Sequence, residues 1–492
     1  MQNTATIIRS LREELRIRDA DLAARDADLA ARDAELAARE REIQQLRAEL
    51  KQLAALVATL KERLDQNSSN SSKPPSSDPP GKKPPKKKRG KGKRKRGGQK
   101  GHKGHHRVRL PESEVDVVDH YPPKCEDCWK PLPKTPDPNA SWHQTTEILP
   151  VKPHTTEDRW HEVECPCCQY RTRAKRAADF CASPFGPRLS SIIALLTGVF
   201  HVSRRGTQRL LTDLLGVVIS LGGISNVEAR VGKAIQPGVD EAWAQVPDAQ
   251  AKHTDGTSWK MGGLPMQLWT IATTAVTVFK ILVDGSKKSL RPLFGKLKGI
   301  LVSDRAKALN FWAMERRQVC WAHLIRRFVN FSEREGPAGA MGRELLDATG
   351  IMFSYWHDYR DKRLSRKAFL HRMAPLQERI EALLERAAAA DIERMSGSCA
   401  DILGHRAALF NFIDKRGVEP TNNHGERELR AFVLWRRRSF GTQSERGNMF
   451  AENIMTVVHT ARKQQRDVLP LLTGYCEAAW SDTEPPKLMS TN

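Results

Sequence analysis

Two apolar stretches, WTIATTAVTVFKILV at residues 269–283 and GILVSD at residues 299–304, decide the fold of this chain. Both are rich in β-branched residues, which favour β-strands. A long, arginine-rich stretch with helical periodicity follows them toward the C-terminus. Strands followed by helices predict a multidomain α/β protein, with its α/β core at residues 246–465 and a C-terminal tail at residues 466–492.

The charge of the chain indicates a polyanionic partner. The 492 residues include 81 Lys and Arg against 58 Asp and Glu, a formal net charge of +23. Nucleic acid fits this excess because basic groups at phosphates release counterions, although an acidic membrane surface would fit the charge equally well. The N-terminus lacks a secretory signal, and the longest apolar stretch, residues 192–200, is too short to span a bilayer. We therefore expect a soluble, intracellular protein with no membrane partner and with reduced cysteines.

Residues 8–66 are predicted to form a coiled coil. Apolar side chains recur every seven residues at Leu15, Leu22, Leu29, Leu36, Ile43, Leu50, Val57 and Leu64. The second seam position holds Arg18, Arg25, Arg32 and Arg39, and then Leu46, Leu53 and Leu60. Arginine at a seam must reach solvent, so the second half should hold a dimer more firmly. A single solvated helix is the alternative, and the long apolar repeat favours a homo-oligomer.

Residues 67–107 lack apolar periodicity and are predicted to be a disordered basic linker. From Lys82 to Arg107 there is no acidic residue. The segment can be a solvated linker, a DNA-binding arm, or both. The predicted phosphate-binding residues are Lys86, Lys87, Lys88, Arg89, Lys93, Arg94, Lys95 and Arg96.

Residues 108–185 carry two C-x-x-C motifs, which predict a zinc-binding module. Their thiols are the expected ligands of a structural Zn²⁺: Cys125, Cys128, Cys165 and Cys168. Cys167 could replace a neighbour, and His143 or His154 could also enter the site. A metal-free cysteine cluster is the alternative. The gap between the motifs leaves room for a hairpin.

Residues 186–245 are predicted to be helical, with two short amphipathic runs on either side of a turn near Gly216. This arrangement fits a helix-turn-helix, and it fits a plain helical hairpin equally well.

Three acidic residues are candidates for a divalent metal site, because phosphodiester chemistry with two Mg²⁺ ions needs converging carboxylates. Asp255 lies in KHTDGTSWK, which has a turn-like pattern before the strand region that starts at Leu268. Asp304 ends the apolar run GILVSD and precedes RAKALNFW, which is predicted to be helical. Each aspartate could instead be a helix cap or a turn former.

Glu426 is the third candidate. TNNHG at residues 421–425 is a helix-start signal, and the helix that follows is strongly basic. Glu426 could be a surface ion pair or a metal ligand whose arginine neighbours bind phosphates, and Glu428 and Glu445 are rivals for the same role. The candidate DNA-binding residues on this helix are Arg427, Arg430, Arg436, Arg437 and Arg438.

In their order along the chain, these features resemble the IS66 family of bacterial insertion-sequence transposases. The resemblance covers nearly the full length and includes NSSNSSKPPSSD, GGQKGHKGHHR, the paired C-x-x-C module, LVSDRAKALNFW, CWAHLIRRF and TNNHGERELR with WRRRSFGTQSERG. It implies a DDE-type catalytic core with an RNase H-like fold, preceded by a zinc-binding module and a leucine-zipper region. A helical insertion at about residues 320–415 is implied as well.

The resemblance assigns the catalytic, metal-binding carboxylates to Asp255, Asp304 and Glu426, with Glu426 in the family's N-N-x-x-E-R position. Cys320 and His323 match a C-x-x-H motif that follows the second aspartate in many DDE enzymes. Many members have an acidic residue where this chain has Gly256, which concerns local geometry more than the ligand itself.

We therefore expect a transposase that binds terminal inverted repeats and cuts and joins double-stranded DNA with two Mg²⁺ or Mn²⁺ ions per site. We expect a cytoplasmic, nucleoid-associated protein that can need accessory transposition proteins. The alternatives are a catalytically inactive, zinc-containing DNA-binding protein derived from a transposase, and a scaffold assembled by its coiled coil.

Overall fold

The computed structural model describes residues 2–68, 70–71, 108–177, 180 and 183–490. The chain divides into two compact units, one of Met1–Lys82 with Arg326–Arg343 and the other of Lys83–Ile325 with Glu344–Asn492. Outside the described residues lie Cys181 and the predicted basic-arm residues Lys86, Lys87, Lys88, Arg89, Lys93, Arg94, Lys95 and Arg96. No helix in the described part of the chain is both long and apolar enough to cross a membrane.

The first unit contains one long helix, α1 (Gln2–Asp65). Its heptad side chains from Leu15 to Leu64 are all largely exposed. Three of the predicted seam arginines pair with the acidic residue one turn earlier on the same helix: Arg25 with Asp21, Arg32 with Asp28, and Arg39 with Glu35. An acidic residue four positions before a basic one supports the helix locally. The helix thus presents an exposed apolar stripe.

The second unit contains a small two-stranded sheet and a larger mixed sheet, which confirms the predicted mixed α/β class. Before the larger sheet lie strands β1 (Glu162–Glu164) and β2 (Arg171–Arg173) and helices α2 (Pro187–Ala194), α3 (Arg204–Leu215), α4 (Leu221–Ala234) and α5 (Gln236–Ala244). The larger sheet has strands β3 (Ala251–Met261), β4 (Leu264–Ala272), β5 (Thr277–Leu282), β6 (Ile300–Ser303) and β7 (Arg317–Val319), with helix α6 (Lys287–Phe294) before β6.

The order of strands in the larger sheet is β5-β4-β3-β6-β7. Strands β3, β4 and β5 form an antiparallel meander, while β6 runs parallel to β3 and β7 runs parallel to β6. The remaining helices are α7 (Trp321–Ser332), α8 (Gly336–Arg360), α9 (Arg366–Ala389), α10 (Ser396–Leu403), α11 (Asn411–Asp414), α12 (Asn423–Ser439), α13 (Glu445–Lys463) and α14 (Val468–Ser481).

The free edge of β5 is covered by α13. Hydroxyl and carboxylate oxygens spaced one helical turn apart accept the outward backbone N–H groups of the strand: Thr460 from Thr277, Thr456 from Phe279, and Glu452 from Ile281. An exposed strand edge is a template for unwanted pairing. Helix α13 removes that hazard and fixes the sheet against the helical layer.

Two expectations about local structure are wrong. KHTDGTSWK is not a turn but part of β3, because its residues from His253 to Lys260 pair with β4. The predicted strand region from Leu268 to Val283 is confirmed and contains two strands, β4 and β5, joined by residues 273–276. RAKALNFW forms one short 3-10 turn, at Lys307–Leu309, and no α-helix.

The segment 466–492 also differs from the tail that the sequence suggested. It contains α14, and Leu488 beyond that helix is fully buried. Glu241 of α5 accepts the backbone N–H groups of Leu488 and Met489 at 2.7 and 3.0 Å. Apolar residues and these two hydrogen bonds tie the C-terminal segment to the core.

Candidate active site

Asp255 lies on β3, and Asp304 directly follows the neighbouring strand β6. His253 of β3 pairs with Val302 of β6 in a parallel register. Continuing that register by two residues places Asp255 beside Asp304, and adjacent strands lie about 4.8 Å apart. Both aspartates are half-buried. Ligands of α/β proteins commonly bind at this position, just beyond the carboxyl end of a parallel strand.

A buried arginine shapes the loop after Asp304. Arg317 is fully buried, and its guanidinium donates to the backbone oxygen of Asp304 at 2.7 Å and to Asn310 Oδ1 at 2.9 Å. Burial lowers the pKa of Arg317 to about 10, and the charge of Asp304 opposes that shift. Because the guanidinium binds loop carbonyls, the chain turns after β6 where the sequence predicted a helix.

Asn422 ties together the elements that carry the site. It is almost fully buried, and its Nδ2 donates to the backbone oxygen of Thr254 at 2.8 Å. Its backbone N–H donates to Cys320 Sγ at 3.1 Å, and its backbone oxygen accepts from the N–H of Glu426 at 3.1 Å. One side chain and one peptide group therefore link β3, the start of α7 and the start of α12. Apart from the helix-start pattern, no signal in the sequence indicates this role.

Glu426 and its rival Glu428 lie on the first turns of α12 and have different surroundings. The Glu426 carboxylate is 3.7 Å from His323 Nδ1. Glu428 instead pairs with Lys463 at 3.4 Å and with His459 at 2.5 Å. Burial alone would raise the pKa of Glu428, but hydrogen bonds from His424 and His459 and the charge of Lys463 lower it overall. Glu445, the other rival, is exposed at the start of α13.

Among the described residues, one group of potential ligand atoms lies within 4.8 Å of one another: those of Cys320, His323 and Glu426. Burial raises the pKa of the Cys320 thiol to about 11, so this sulfur is protonated at neutral pH and is a poor metal ligand. Asp255 and Asp304 are not in this group. Their carboxylates accept local hydrogen bonds, from the N–H of Gly256 at 2.9 Å and of Ala306 at 3.0 Å.

The three predicted ligands would fit a hard divalent cation better than a soft one. Asp255, Asp304 and Glu426 would offer carboxylate oxygens, which are the ligands that Mg²⁺ and Mn²⁺ prefer. Gly256 keeps this region close-packed, since a Cβ there would lie 2.9 Å from Trp269 Cε2. An acidic side chain at position 256 would therefore require Trp269 to move.

Four of the five candidate DNA-binding arginines on α12 face solvent. Arg427, Arg430, Arg437 and Arg438 are exposed. Arg436 differs, because its guanidinium donates to Thr257 Oγ1 at 3.0 Å and to the backbone of Ser258 on β3. Trp259 of β3 also packs edge-on against Phe432, with ring centroids 5.5 Å apart. Arg436 thus helps to hold α12 on the sheet that carries Asp255.

The two C-x-x-C motifs form the same backbone turn. In each, the first cysteine N–H donates to the carbonyl of the residue five positions later at 2.9 Å, Lys130 in one and Tyr170 in the other. The residue after each motif has a left-handed backbone, with φ of 61° at Trp129 and 59° at Gln169. Backbone N–H groups within each turn lower the pKa of the first thiol, Cys125 or Cys165. The hairpin of β1 and β2 flanks the second turn instead of lying between the two.

The two turns remain separate within the described residues. No group of three or more metal-ligand atoms that includes Cys125, Cys128, Cys165 or Cys168 lies within bonding range. All four thiols are free, and Cys399 and Cys476 are buried elsewhere. Each turn therefore presents its own pair of sulfurs.

A comparison with known protein families identifies the family of this chain. The model of the transposase IS66 family matches residues 182–449, which is more than half of the chain. This protein is a transposase by family, and a divalent metal and DNA are general requirements of that class. The chain belongs to the IS66 family of transposases. A family of unknown function (DUF6444) matches residues 12–108, and no curated protein matches the chain.

Proposed function

We propose that the chain is a DDE transposase with an RNase H-like core that binds terminal inverted repeats and catalyses DNA cleavage and strand transfer. The catalytic carboxylates are Asp255, Asp304 and Glu426. The observation that carries this proposal is the parallel pairing of β3 with β6, because Asp255 lies two residues beyond the last pair on β3 and Asp304 two residues beyond it on β6. Asn422 supports it further by fastening the helix start with Glu426 to the backbone next to Asp255.

The chemistry follows from these positions. Two Mg²⁺ or Mn²⁺ ions, when bound by the three carboxylates, supply Lewis acidity to the attacking and leaving oxygens. In cleavage, a water oxygen bonds to phosphorus while the P–O3′ bond breaks, leaving a 3′-hydroxyl on the transposon end. In strand transfer, that 3′-oxygen bonds to a target phosphorus and displaces the target 3′-oxygen. Buried Arg317 and Asn422 keep the carboxylate-bearing backbone in place throughout.

The exposed arginines of α12 provide the proposed phosphate contacts near the site. Arg427, Arg430 and Arg437 are spaced for one helix face. Arg438 lies beside them, whereas Arg436 is occupied by β3. The basic segment of residues 82–107 would add a sequence-independent contact, as its density of positive charge suits phosphates.

We further propose that the cysteine turns bind one structural Zn²⁺ through Cys125, Cys128, Cys165 and Cys168. Two identical turns, each presenting two sulfurs, support this ligand set. The zinc module and the helix pair α3–α4 would help to read the inverted repeats. Gly216, with φ of 64°, ends α3 before the turn to α4.

Self-association through α1 is also proposed, because its heptad side chains are exposed along the whole helix. Light scattering on Leu46→Asp and Leu22→Asp variants tests the predicted asymmetry. The variant at Leu46 should dissociate more, since its half has leucine at both seam positions. Equal dissociation, or none, would contradict this proposal.

The catalytic proposal is tested by Mg²⁺-dependent cleavage of duplex DNA that carries the ends of the element. Wild type should cleave, and Asp255→Ala, Asp304→Ala and Glu426→Ala should lose cleavage while still binding the DNA. Asp401→Ala is a matched control, because this exposed aspartate pairs with Arg305 outside the trio. Normal cleavage by the Asp304 variant would refute the assignment. Binding without cleavage by the wild type would favour the inactive DNA-binding alternative.

A further inference from the structure

A cleft lies away from the three carboxylates. It has a volume of about 1090 Å³, and its lining includes Arg204, Arg205, Ser225, Ser439, Gln443 and Arg446. Small-molecule sites occupy roughly 300–1,000 Å³, so this cleft can hold a short stretch of nucleic-acid backbone. One wall is the segment SFGTQSERG at residues 439–447, whose role the catalytic proposal does not explain.

Arginine side chains give the cleft its positive charge. Arg204 is neutralised by Glu228, whose carboxylate accepts from Arg204 Nε at 3.0 Å. Arg205 and Arg446 are exposed, and Arg446 Nη2 donates to the neutral hydroxyl of Ser225 at 2.9 Å. The lining therefore carries two positive charges beyond the Arg204–Glu228 pair.

The backbone adds to this potential, since α3, α4 and α13 all begin at the cleft. Each starts with a serine whose hydroxyl accepts from the N–H of a glycine three residues later: Ser203 from Gly206, Ser220 from Gly223, and Ser444 from Gly447. The N-terminal end of a helix carries partial positive charge and favours phosphate. Three such ends beside two uncompensated arginines make an anion-binding surface.

Helix α12 and strand β3 connect the cleft to the catalytic carboxylates. The loop after α12 is fastened to β3, because Thr442 N–H donates to Lys260 O and Gly262 N–H donates to Thr442 O, both at 2.9 Å. Gly441 has φ of 114°, and a Cβ there would overlap the Lys260 carbonyl oxygen. The conformation of this wall thus depends on a glycine.

The separation between the two sites follows from the geometry of those elements. From Glu426 to Ser439 along α12 is about 20 Å at 1.5 Å per residue. From Asp255 to Met261 along β3 is also about 20 Å at 3.3 Å per residue. This distance corresponds to about six base pairs of duplex at 3.4 Å per base pair. The exposed arginines Arg427, Arg430 and Arg437 lie between the ends of that path.

We infer that the cleft binds backbone phosphates of the transposon-end duplex about six base pairs from the phosphate that is cleaved. The contact is with the sugar-phosphate backbone and not with bases, because the positive potential of the cleft comes from arginine side chains and helix N-termini. This inference rests on the proposed function, since the distance is counted from the carboxylates. It assigns to SFGTQSERG the task of holding duplex DNA in line with the catalytic edge.

Phosphate ethylation interference on the full-length protein tests this inference. The probe is a duplex with one end of the element and its flanking DNA, and binding is measured in an Asp304→Ala background so that cleavage does not interfere. The test variant is Arg205→Ala with Arg446→Ala. Its matched control is Arg209→Ala with Arg462→Ala, which removes two exposed arginines from the same helices outside the cleft.

Interference at phosphates about six base pairs from the cleaved bond should be present in the control and absent in the test variant. Loss of two phosphate contacts should also reduce the slope of log K against log salt concentration by about 1.8. An unchanged interference pattern, or equal loss in the control, would overturn the inference. Interference within two base pairs of the cleaved bond would do the same. If the Asp304 variant cleaves, the catalytic proposal fails, whereas the interference pattern still decides the cleft.

Discussion

Two cysteines with the same type of motif have opposite chemical environments. Cys125 begins C-x-x-C in an exposed turn, where the N–H groups of Cys128 and Asp127 lower its pKa. Cys320 begins C-x-x-H at the start of α7, where burial raises its pKa to about 11. The first sulfur is suited to bind a metal as thiolate, and the second remains a thiol that accepts a hydrogen bond from Asn422.

The difference extends to the regions around them. None of residues 108–177 is buried, whereas the sheet and helices of the core bury Arg317, Asn422 and Lys252 almost completely. A module without an apolar interior would depend on the proposed zinc for a fixed structure. The core is instead fixed by packing and by hydrogen bonds between distant residues. Ligand spacing alone therefore does not identify a metal site, because burial and backbone direction decide what the ligand atoms can do.

The largest effect is expected on removing zinc. Cys125→Ser should lower zinc content from about one ion per chain to nearly none, and the module should become sensitive to protease. Structural zinc contributes apparent binding energies of about 10–16 kcal/mol in small domains. Cys320→Ala is the control and should keep its zinc. Elemental analysis measures the zinc content of both variants. Loss of zinc from Cys320→Ala, or its retention by Cys125→Ser, would contradict the prediction.

A second prediction separates two glutamates on one helix. Glu426→Gln should reduce cleavage at least about 10³-fold, as expected for loss of a metal ligand, with little change in stability. Glu428→Gln should lower the free energy of unfolding by about 3 kcal/mol, because it breaks a largely buried network with His459 and Lys463. Cleavage assays and urea unfolding on both variants measure this. The reverse pattern would move the third ligand to Glu428.

The third prediction concerns Asn422 as a positioning residue. Asn422→Ala leaves the Thr254 carbonyl without its donor, which should destabilise the fold by about 1–3 kcal/mol. It should also reduce cleavage by about 10²-fold, since small misplacements of reacting groups have effects of that size. Asn453→Ala is the matched control, because this buried side chain donates to Gly232 O, away from the carboxylates. If both variants lost cleavage equally at equal stability, Asn422 would have only a structural role.

Local and long-range features differed in how well the sequence predicted them. The helix start near Glu426 and the strand that ends before Asp304 follow from short patterns, and both occur as predicted. The residues around Asp255 are polar and therefore resemble a turn in sequence. They form a strand because they pair with β4, and the register around Asp255 depends on residues ten or more positions away. The 3-10 turn after Asp304 depends on the buried guanidinium of Arg317, which no local pattern reveals.

The choice between Glu426 and Glu428 shows the same limit. Residues two positions apart on an α-helix are separated by about 200° around its axis. The carboxylates of Glu426 and Glu428 therefore face opposite sides. Which side meets β3 and α7 depends on how α12 packs, which Trp259, Phe432 and Arg436 determine. The family resemblance selected Glu426, and helical periodicity by itself would have left both residues open. Asn422 needed the folded chain, because its partners come from three separate elements.

The smallest effect is expected from the core's buried lysine. Lys252 is fully buried in β3, and its ammonium donates to the backbone oxygens of Ala249 and Lys298. Burial lowers its pKa from the usual 10.5 to about 8. Between those values the unfolded chain binds more protons than the folded chain, so this group makes stability rise with pH across that window. Below about pH 8 both states are protonated, and the full penalty of burying the charge is present.

Lys252→Met removes that penalty but leaves the two carbonyl oxygens without their donor, so the net change at neutral pH should be within about 1 kcal/mol. Between about pH 8 and 10, however, the stability of the wild type should rise relative to that of the variant, which lacks the titrating ammonium. Urea unfolding at several pH values measures the difference between the two proteins. A constant difference would mean that the core does not desolvate this ammonium. The only remaining support for the contrast between a desolvated core and a solvated cysteine module would then be the opposite pKa shifts of Cys320 and Cys125.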